Sequence, residues 1–282
     1  MIAASFRAMG TTVQVTGRLD RDIASTRELF EEVEQCCSRF RSSSELSRIN
    51  GEAATSIDIS PQMGDVLQVA SDIRDLTHGL VDAGLGAIVS AWGYDRSFEK
   101  ISGIAEPANL KAESDWSVDG RSLTRSRGTK LDLGGIAKGW ACDRAVDERG
   151  ALIVNAGGDV RSASRKSQVD VMDPWGHRVA RINLGVGALA TSSTARRRWM
   201  TPGGEAHHLI DPRTLAPSAS PIVSATVMTA TAVEAEAGAK AMLLHGVDGL
   251  AWASSRPWIS GALAVWADGS IYATNGIEME AA

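Results

Sequence analysis

Cysteine is scarce: Cys36, Cys37 and Cys142 are the whole complement. Three cysteines cannot build a disulfide framework, and a bridge between the adjacent Cys36 and Cys37 would be strained in a helical pattern. No Cys–His spacing fits zinc. Reduced thiols in a reducing compartment are the simplest expectation. Positive charge is not in excess either: 29 Lys and Arg against 34 Asp and Glu leave a net charge of −5. That excludes a generic nucleic-acid binder, which needs a cationic surface. No apolar run reaches the roughly 18 residues that a membrane helix requires. The opening Met1-Ile-Ala-Ala-Ser-Phe-Arg7 lacks a basic stretch followed by an apolar core. Together these predict a cytoplasmic chain, or one whose leader has been removed. Phe and Tyr are sparse, with four and two copies, whereas Trp occurs eight times.

What is present is ordinary globular material, 44% hydrophobic over 282 residues, enough to bury a large core without staples. Thr12-Val-Gln-Val15 alternates as a strand. Asp22 to Cys37 carries Ile23, Phe30, Val33 and Cys37 at helical spacing. Ser60-Pro61 reads as an N-cap followed by proline at the first helical position, with Met63, Val66, Ala70 and Ile73 on one face. Glu99 to Ser114 reads as a polar surface connection. Asp119-Gly120 and Asp268-Gly269 are hairpin signals. Ile136 to Arg149 and Val233 to His245 read as helices closed by Gly150 and Gly246. Strands come in runs with helices inserted between them, which predicts α+β rather than a doubly wound sheet.

Several segments carry chemical promise. Gly84-x-Gly86 falls short of a dinucleotide fingerprint, with no third glycine and no convincing strand before it. Leu131-Asp-Leu-Gly-Gly-Ile-Ala-Lys-Gly139 places two glycines between a β-like run and a helix start. That geometry aims free N–H groups at an anion. Lys138 sits in the first helical turn, where the helix dipole disfavours a cation. Its alternative is a solvent-facing lysine at a tight turn. Between Ala190 and Thr214, Arg196, Arg197, Arg198 and Arg213 face two acids, Glu205 and Asp211. This is either a phosphate patch or a solvated turn with paired arginines. His208, three residues before Asp211, is a candidate general base or a structural histidine. Glu236 and Lys240 form an i,i+4 pair, ordinarily a surface pair. Here they lie among Ala235, Ala237, Ala239 and Ala241, where a carboxylate would suit Mg²⁺.

In chain order, these segments resemble the ApbE family, the FAD:protein FMN transferases. The resemblance is carried by Ala8-Met-Gly-Thr-Thr12, Ser38-Arg-Phe-Arg to Asn50, Val81-Asp82 through Ala91-Trp-Gly-Tyr94, and Asp132 to Gly139. It continues through Val154-Asn-Ala-Gly-Gly-Asp159, Ala190-Thr-Ser192 and His208-Leu-Ile-Asp-Pro-Arg-Thr214. It implies an α+β, ApbE-like fold with antiparallel and mixed sheets and inserted helices. It also implies one domain over residues 1–282, with a FAD groove between merged halves. Met9, Phe40, Val81, Asp82, Ala83, Asp132, Lys138, Thr191, Ile210 and Arg213 correspond to cofactor-binding positions. Gly135, Glu236 and Lys240 correspond to the Mg²⁺ positions, Gly135 through its carbonyl. The implied reaction moves FMN from FAD to a Ser or Thr hydroxyl of a target flavoprotein and releases AMP, with His208 as base. FAD and an acceptor flavoprotein are the implied partners.

The chain departs from the family pattern at several positions. The metal helix usually reads Ala-Asp-x-x-Ala/Asp-Thr and here reads Ala235-Glu236-Ala-Gly-Ala239-Lys240. A charged lysine is no ligand, and Lys240 stands where it would replace the metal. Asp-Pro-x-Thr-Gly becomes Asp211-Pro-Arg-Thr-Leu215. The glycine after Ala-Thr-Ser is Ser193, and a Tyr or Asn position is Phe40. Two other activities stay open on the same residues: a non-catalytic FAD-binding or storage protein, and a FAD pyrophosphatase giving FMN and AMP.

Overall fold

The computed structural model describes residues 1–98, 101, 115–202, 204–274 and 276–277. The expected connection Glu99 to Ser114 lies outside them except for Ile101. Strands β1 (Ile2–Ala8) and β2 (Thr11–Gly17) lead into helix α1 (Asp20–Cys37). Helix α2 (Glu45–Gly51), strand β3 (Ser56–Asp58), and helices α3 (Pro61–Leu76) and α4 (Gly86–Ala91) follow. Next come β4 (Trp116–Asp119), β5 (Ser122–Arg125), helix α5 (Ala137–Glu148), β6 (Ile153–Ala156) and β7 (Asp159–Ser162). Strands β8 (Gln168–Met172), β9 (Arg178–Asn183) and β10 (Gly187–Ser193) precede β11 (Arg198–Thr201), β12 (Gly204–His207), β13 (Ile210–Asp211) and β14 (Ala216–Pro217). The chain continues with β15 (Ile222–Thr229), helices α6 (Ala232–Leu244) and α7 (Gly249–Ser254), and strands β16 (Gly261–Trp266) and β17 (Ile271–Ala273).

This is the expected α+β arrangement, and local signals account for several boundaries. Ser60 Oγ accepts the Met63 N–H at 3.1 Å and Pro61 opens α3. Asp119-Gly120 joins β4 to β5, with Gly120 at φ +54°. All three cysteines are free and buried. Strand β1 precedes the strand expected at Thr12–Val15 and carries only a weak sequence signal. It is an edge strand in which Ala4, Phe6 and Ala8 are less exposed than Ala3, Ser5 and Arg7, a weak alternation built partly on alanine.

The chain divides into two compact units. The first gathers Met1–Glu31, Lys138–Arg196 and Ala219–Ala282; the second gathers Glu32–Ala137 and Arg197–Ser218. The first unit is built on an eight-stranded sheet in the order β1-β2-β6-β7-β10-β15-β16-β17. Every neighbouring pair is antiparallel. Val160, Val171, Ile182, Leu189, Leu263 and Val265 form part of its core. Helix α6 packs on β10 and β15 and is buried almost all round, including Ala235, Ala237, Ala239 and Ala241. Those small side chains allow the close approach that a wholly buried helix needs. Gly139 serves the same end, since a Cβ there would stand 2.7 Å from Val233 Cα.

The second unit holds the sheet β3-β5-β4, the pairs β11–β12 and β13–β14, and helices α2 to α4. Its core includes Leu85, Ile88, Val89, Tyr94, Trp199, Ala206 and Ile210. Part of the tryptophan excess acquires a reason here, because each indole joins apolar bulk to one N–H donor. Trp92 Nε1 donates to Leu215 O at 2.6 Å, Trp199 Nε1 to Trp92 O at 2.9 Å, and Trp116 Nε1 to Asp82 Oδ1 at 2.8 Å. The Gly84-x-Gly86 segment serves packing. A Cβ on Gly86 would lie 2.7 Å from Lys130 O, where the chain runs beside Lys130 and Leu131.

Candidate active site

In the first unit the turn before α5 delivers Lys138 to the buried end of β7 and to α6. Its ammonium bonds Asp159 Oδ2 and, at 2.8 Å, Glu236 Oε1. Lys240, one turn further along α6, reaches the same Oε1 at 3.4 Å. The pair is internal, as its small neighbours suggested: the Lys138, Glu236 and Lys240 side chains are 13%, 5% and 17% exposed. Glu236 Oε2 is buried with no hydrogen-bond partner among the described residues. Burial alone would push Glu236 upward, but the ammoniums of Lys138 and Lys240 outweigh it and hold the carboxyl low. Burial and the Glu236 charge push Asp159 up, against the pull of Lys138. Burial opposes the charge on Lys138, yet the two carboxylates raise its affinity for the proton. The local preference that made Lys138 odd in a first helical turn is overridden by these two acids.

The start of α6 is capped from two sides. Thr231 and Glu234 form a reciprocal capping box. Asp143 on α5 accepts the N–H groups of Ala232 at 2.7 Å and Val233 at 3.1 Å. Asp143 also pairs with Arg161 at 3.1 Å. Thr191 Oγ1 lies 2.9 Å from Thr226 Oγ1 across β10 and β15, and Met9 occupies a left-handed turn at φ +50°.

In the second unit the Asp132 turn is tied down. Its Oδ1 accepts Gly134 N–H at 2.8 Å and its Oδ2 pairs with Arg39 Nε at 2.9 Å. Arg39 also donates to Tyr94 O, and its guanidinium lies over Phe40 and Tyr94 at 4.3 and 4.6 Å. Arg39 Nη2 is buried with no hydrogen-bond partner among the described residues. Phe40 is 41% exposed, which leaves an aromatic face open beside a buried cation. Asp82 Oδ1 accepts Gly84 N–H and Trp116 Nε1, both at 2.8 Å. Val81, Ala83 and Ile210 are buried, and Ile210 belongs to the core cluster. Gly135 is half-buried in the turn before α5.

His208 is half-buried at the bend between β12 and β13, so no continuous strand runs from His208 to Ile210. Its neighbour His207 is structural. Nε2 is 3.0 Å from Ser218 O and Nδ1 accepts Leu209 N–H at 3.3 Å, a set that only the neutral Nε2–H tautomer satisfies. Two of the four arginines pair with the acids inside the segment: Arg198 with Glu205 at 2.6 Å and Arg213 with Asp211 at 2.6 Å. For those two the reading as a turn with paired arginines holds. Leu215, standing at the lost glycine, adopts φ +57°. A β-carbon is disfavoured there, which fits the glycine that the resemblance implies at that position.

Sequence reasoning passed over Arg39 and Asp159 as individual residues, although each lies inside a segment singled out for its motif. The cue was an arginine beside the motif aromatic in one segment and an acid closing a Gly-Gly turn in the other.

Comparison with known proteins gives these residues a context. The sequence pattern of the ApbE family matches residues 9–263. The chain belongs to the ApbE family. A FAD:protein FMN transferase of Rhodobacter capsulatus is 32% identical over 251 residues, covering 82% of this chain and 48% of that protein. The chain thus matches about half the length of that relative. A Haemophilus influenzae protein of the same name is 25% identical over 283 residues, covering 88% and 82%. The ApbE protein from Thermotoga maritima superimposes with a TM-score of 0.84, at 24% identity and 97% coverage of both chains. The flavin transferase ApbE from Vibrio cholerae gives 0.81, at 24% identity and 98% and 97% coverage. These two structures share the ApbE fold with this chain.

The Mg²⁺ that the resemblance implies can be tested against its proposed ligands. The Glu236 carboxylate already carries two ammoniums, and Lys138, Lys240, Asp159 and Glu236 sum to zero charge. Magnesium sites depend on carboxylate charge that is not otherwise compensated. No group of three or more His, Cys, Asp or Glu among the described residues is placed to hold a metal ion. The residues present do not fit Mg²⁺ at Glu236.

Proposed function

We propose that this chain is a FAD-binding flavin transferase that moves FMN from FAD to a Ser or Thr hydroxyl of a target flavoprotein and releases AMP. Its family membership over residues 9–263 carries the reading, through relatives named FAD:protein FMN transferase. In the reaction the acceptor hydroxyl oxygen attacks the FMN-side phosphorus of the pyrophosphate. The bond from that phosphorus to the bridging oxygen breaks, and the electron pair leaves with AMP. The hydroxyl proton passes to His208. Transfers of this kind depend on positioning and charge neutralisation more than on covalent help. Arg39 and Asp132 fix the second unit's loop, and Phe40 offers its open aromatic face to the flavin. Lys138 and Lys240 are the cations assigned to the pyrophosphate.

Incubation with FAD and a panel of acceptor flavoproteins tests this. An FMN mass adduct on the acceptor with stoichiometric AMP is the expected result. AMP without adduct marks a pyrophosphatase, and retained FAD without turnover marks a storage protein; either refutes the transferase. His208→Asn should lower transfer by about 10²–10⁴-fold while FAD still binds.

A further inference from the structure

We propose that this protein carries its cation built in: the Lys240 ammonium, held on Glu236, stands in for a divalent metal at the FAD pyrophosphate. The proposal rests on the flavin reading above and concerns the charge chemistry of the same site. Three observations carry it. Lys240 shares Glu236 Oε1 with Lys138, so the acid that would hold a metal already carries two fixed cations, and its one unpartnered oxygen, Oε2, is a single ligand. The four residues, linked Asp159–Lys138–Glu236–Lys240, are together neutral and the Lys138, Asp159 and Glu236 side chains are nearly enclosed, so a divalent ion finds no net negative charge to enter. Lys240 is the most exposed member, at 17%, and its ammonium donates one hydrogen bond among the described residues, to Glu236 Oε1 at 3.4 Å. An ammonium has three donors. Two donors therefore remain for phosphate oxygens, which a lysine serves as a point charge.

The cluster also separates two tasks. Lys138 lies between Asp159 and Glu236 and leaves the three with one negative charge. Lys240, on Glu236, supplies the positive charge that brings the four to zero. A metal would bring two charges and a demand for oxygen ligands; a lysine brings one and needs only its anchor. The consequence is FAD binding that is indifferent to chelators.

Two measurements on the purified full chain test this. Mn²⁺ binding followed by electron paramagnetic resonance, without FAD, should show no bound ion in the wild type. A stoichiometric Mn²⁺ site lost in Glu236→Gln would overturn the proposal, whatever the chain does with flavin. FAD affinity, from quenching of flavin fluorescence, should change less than about twofold between EDTA and excess Mg²⁺. Lys240→Met should weaken FAD in EDTA by roughly 10–100-fold, as expected for one lost charge-assisted contact. Lys240→Arg should restore most of it, and circular dichroism should show all variants folded. A strict Mg²⁺ requirement in the wild type, or unchanged affinity in Lys240→Met, would overturn the proposal. A wild type that binds neither FAD nor Mn²⁺ would refute the flavin reading while leaving the exclusion of metal standing.

Discussion

Replacing Lys138 with methionine is the sharpest test of the buried charge ring. Methionine keeps much of the aliphatic volume and removes the ammonium. Lys138 is the partner of both Asp159 and Glu236, and all three side chains are at most 13% exposed. Removing one member of a buried ion pair costs about 3–5 kcal/mol, because the remaining charge stays desolvated and unpaired. Lys240 continues to serve Glu236, so the uncompensated charge falls on Asp159 and the low end, about 3 kcal/mol, is expected. Lys240→Met should cost less, about 1–2 kcal/mol, since Glu236 keeps Lys138 at 2.8 Å and loses a contact of 3.4 Å. A chain of two compact units has no single well-defined unfolding free energy. The assay is therefore native-state hydrogen exchange at α5 and α6. A loss of about 3 kcal/mol speeds the protected amides by roughly 100-fold. Adding Asp159→Asn to Lys138→Met should return most of the protection by removing the stranded charge. Exchange in Lys138→Met within about threefold of wild type would refute the assignment of a buried charge ring, as would failure of Asp159→Asn to rescue it.

Three further outcomes follow from the same geometry. His207 is held neutral chiefly by burial, with Arg198 adding to the effect, so its folded pKa lies below the ordinary histidine value. The unfolded chain then binds a proton first, so this contribution to stability is full above about 6.5, the unfolded value, and is lost as pH falls from there through the lower folded value. Urea midpoints of the second unit between pH 7.5 and about 5.5 should fall in the wild type and fall less in His207→Gln. Gly139→Ala places a methyl 2.7 Å from Val233 Cα and should cost about 1–3 kcal/mol, measured as faster exchange across α5 and α6. Asp143→Ala removes the acceptor of two α6 N–H groups and the partner of Arg161. It should cost about 2–3 kcal/mol and expose the first turn of α6 to exchange.

Local signals were legible wherever one residue type has one dominant use. Ser60 before Pro61 could only open a helix, and Asp119-Gly120 between two short runs could only turn a hairpin. Strand β1 was passed over although Ile2, Ala4, Phe6 and Ala8 alternate with Ala3, Ser5 and Arg7, because two of those four are alanines and an edge strand buries little of either face. The basic segment was legible in composition, but not which of its arginines would be paired. Counting charges along the chain takes no account of the β11–β12 hairpin, which folds Arg198 onto Glu205.

The charge ring shows where reading a sequence stops. Lys138 and Glu236 are 98 positions apart and meet at 2.8 Å. Nothing local to either predicts the other. One clue was visible: a lysine in a first helical turn, against the helix dipole. Such a residue needs a compensating acid, and the chain supplied it from two distant elements, β7 and α6. The same constraint governs Lys240. Glu236 already balances Lys138, so a second cation on it gives a net positive charge to that pair, offset only by Asp159 beyond Lys138. A buried ring tolerates that only while the four charges stay matched. A neutral residue at 240 would leave the ring one positive charge short and create the demand that a metal ion could meet. Lysine at 240 and the misfit for Mg²⁺ are thus two readings of one charge balance, and substituting Lys240 alone should disturb both together.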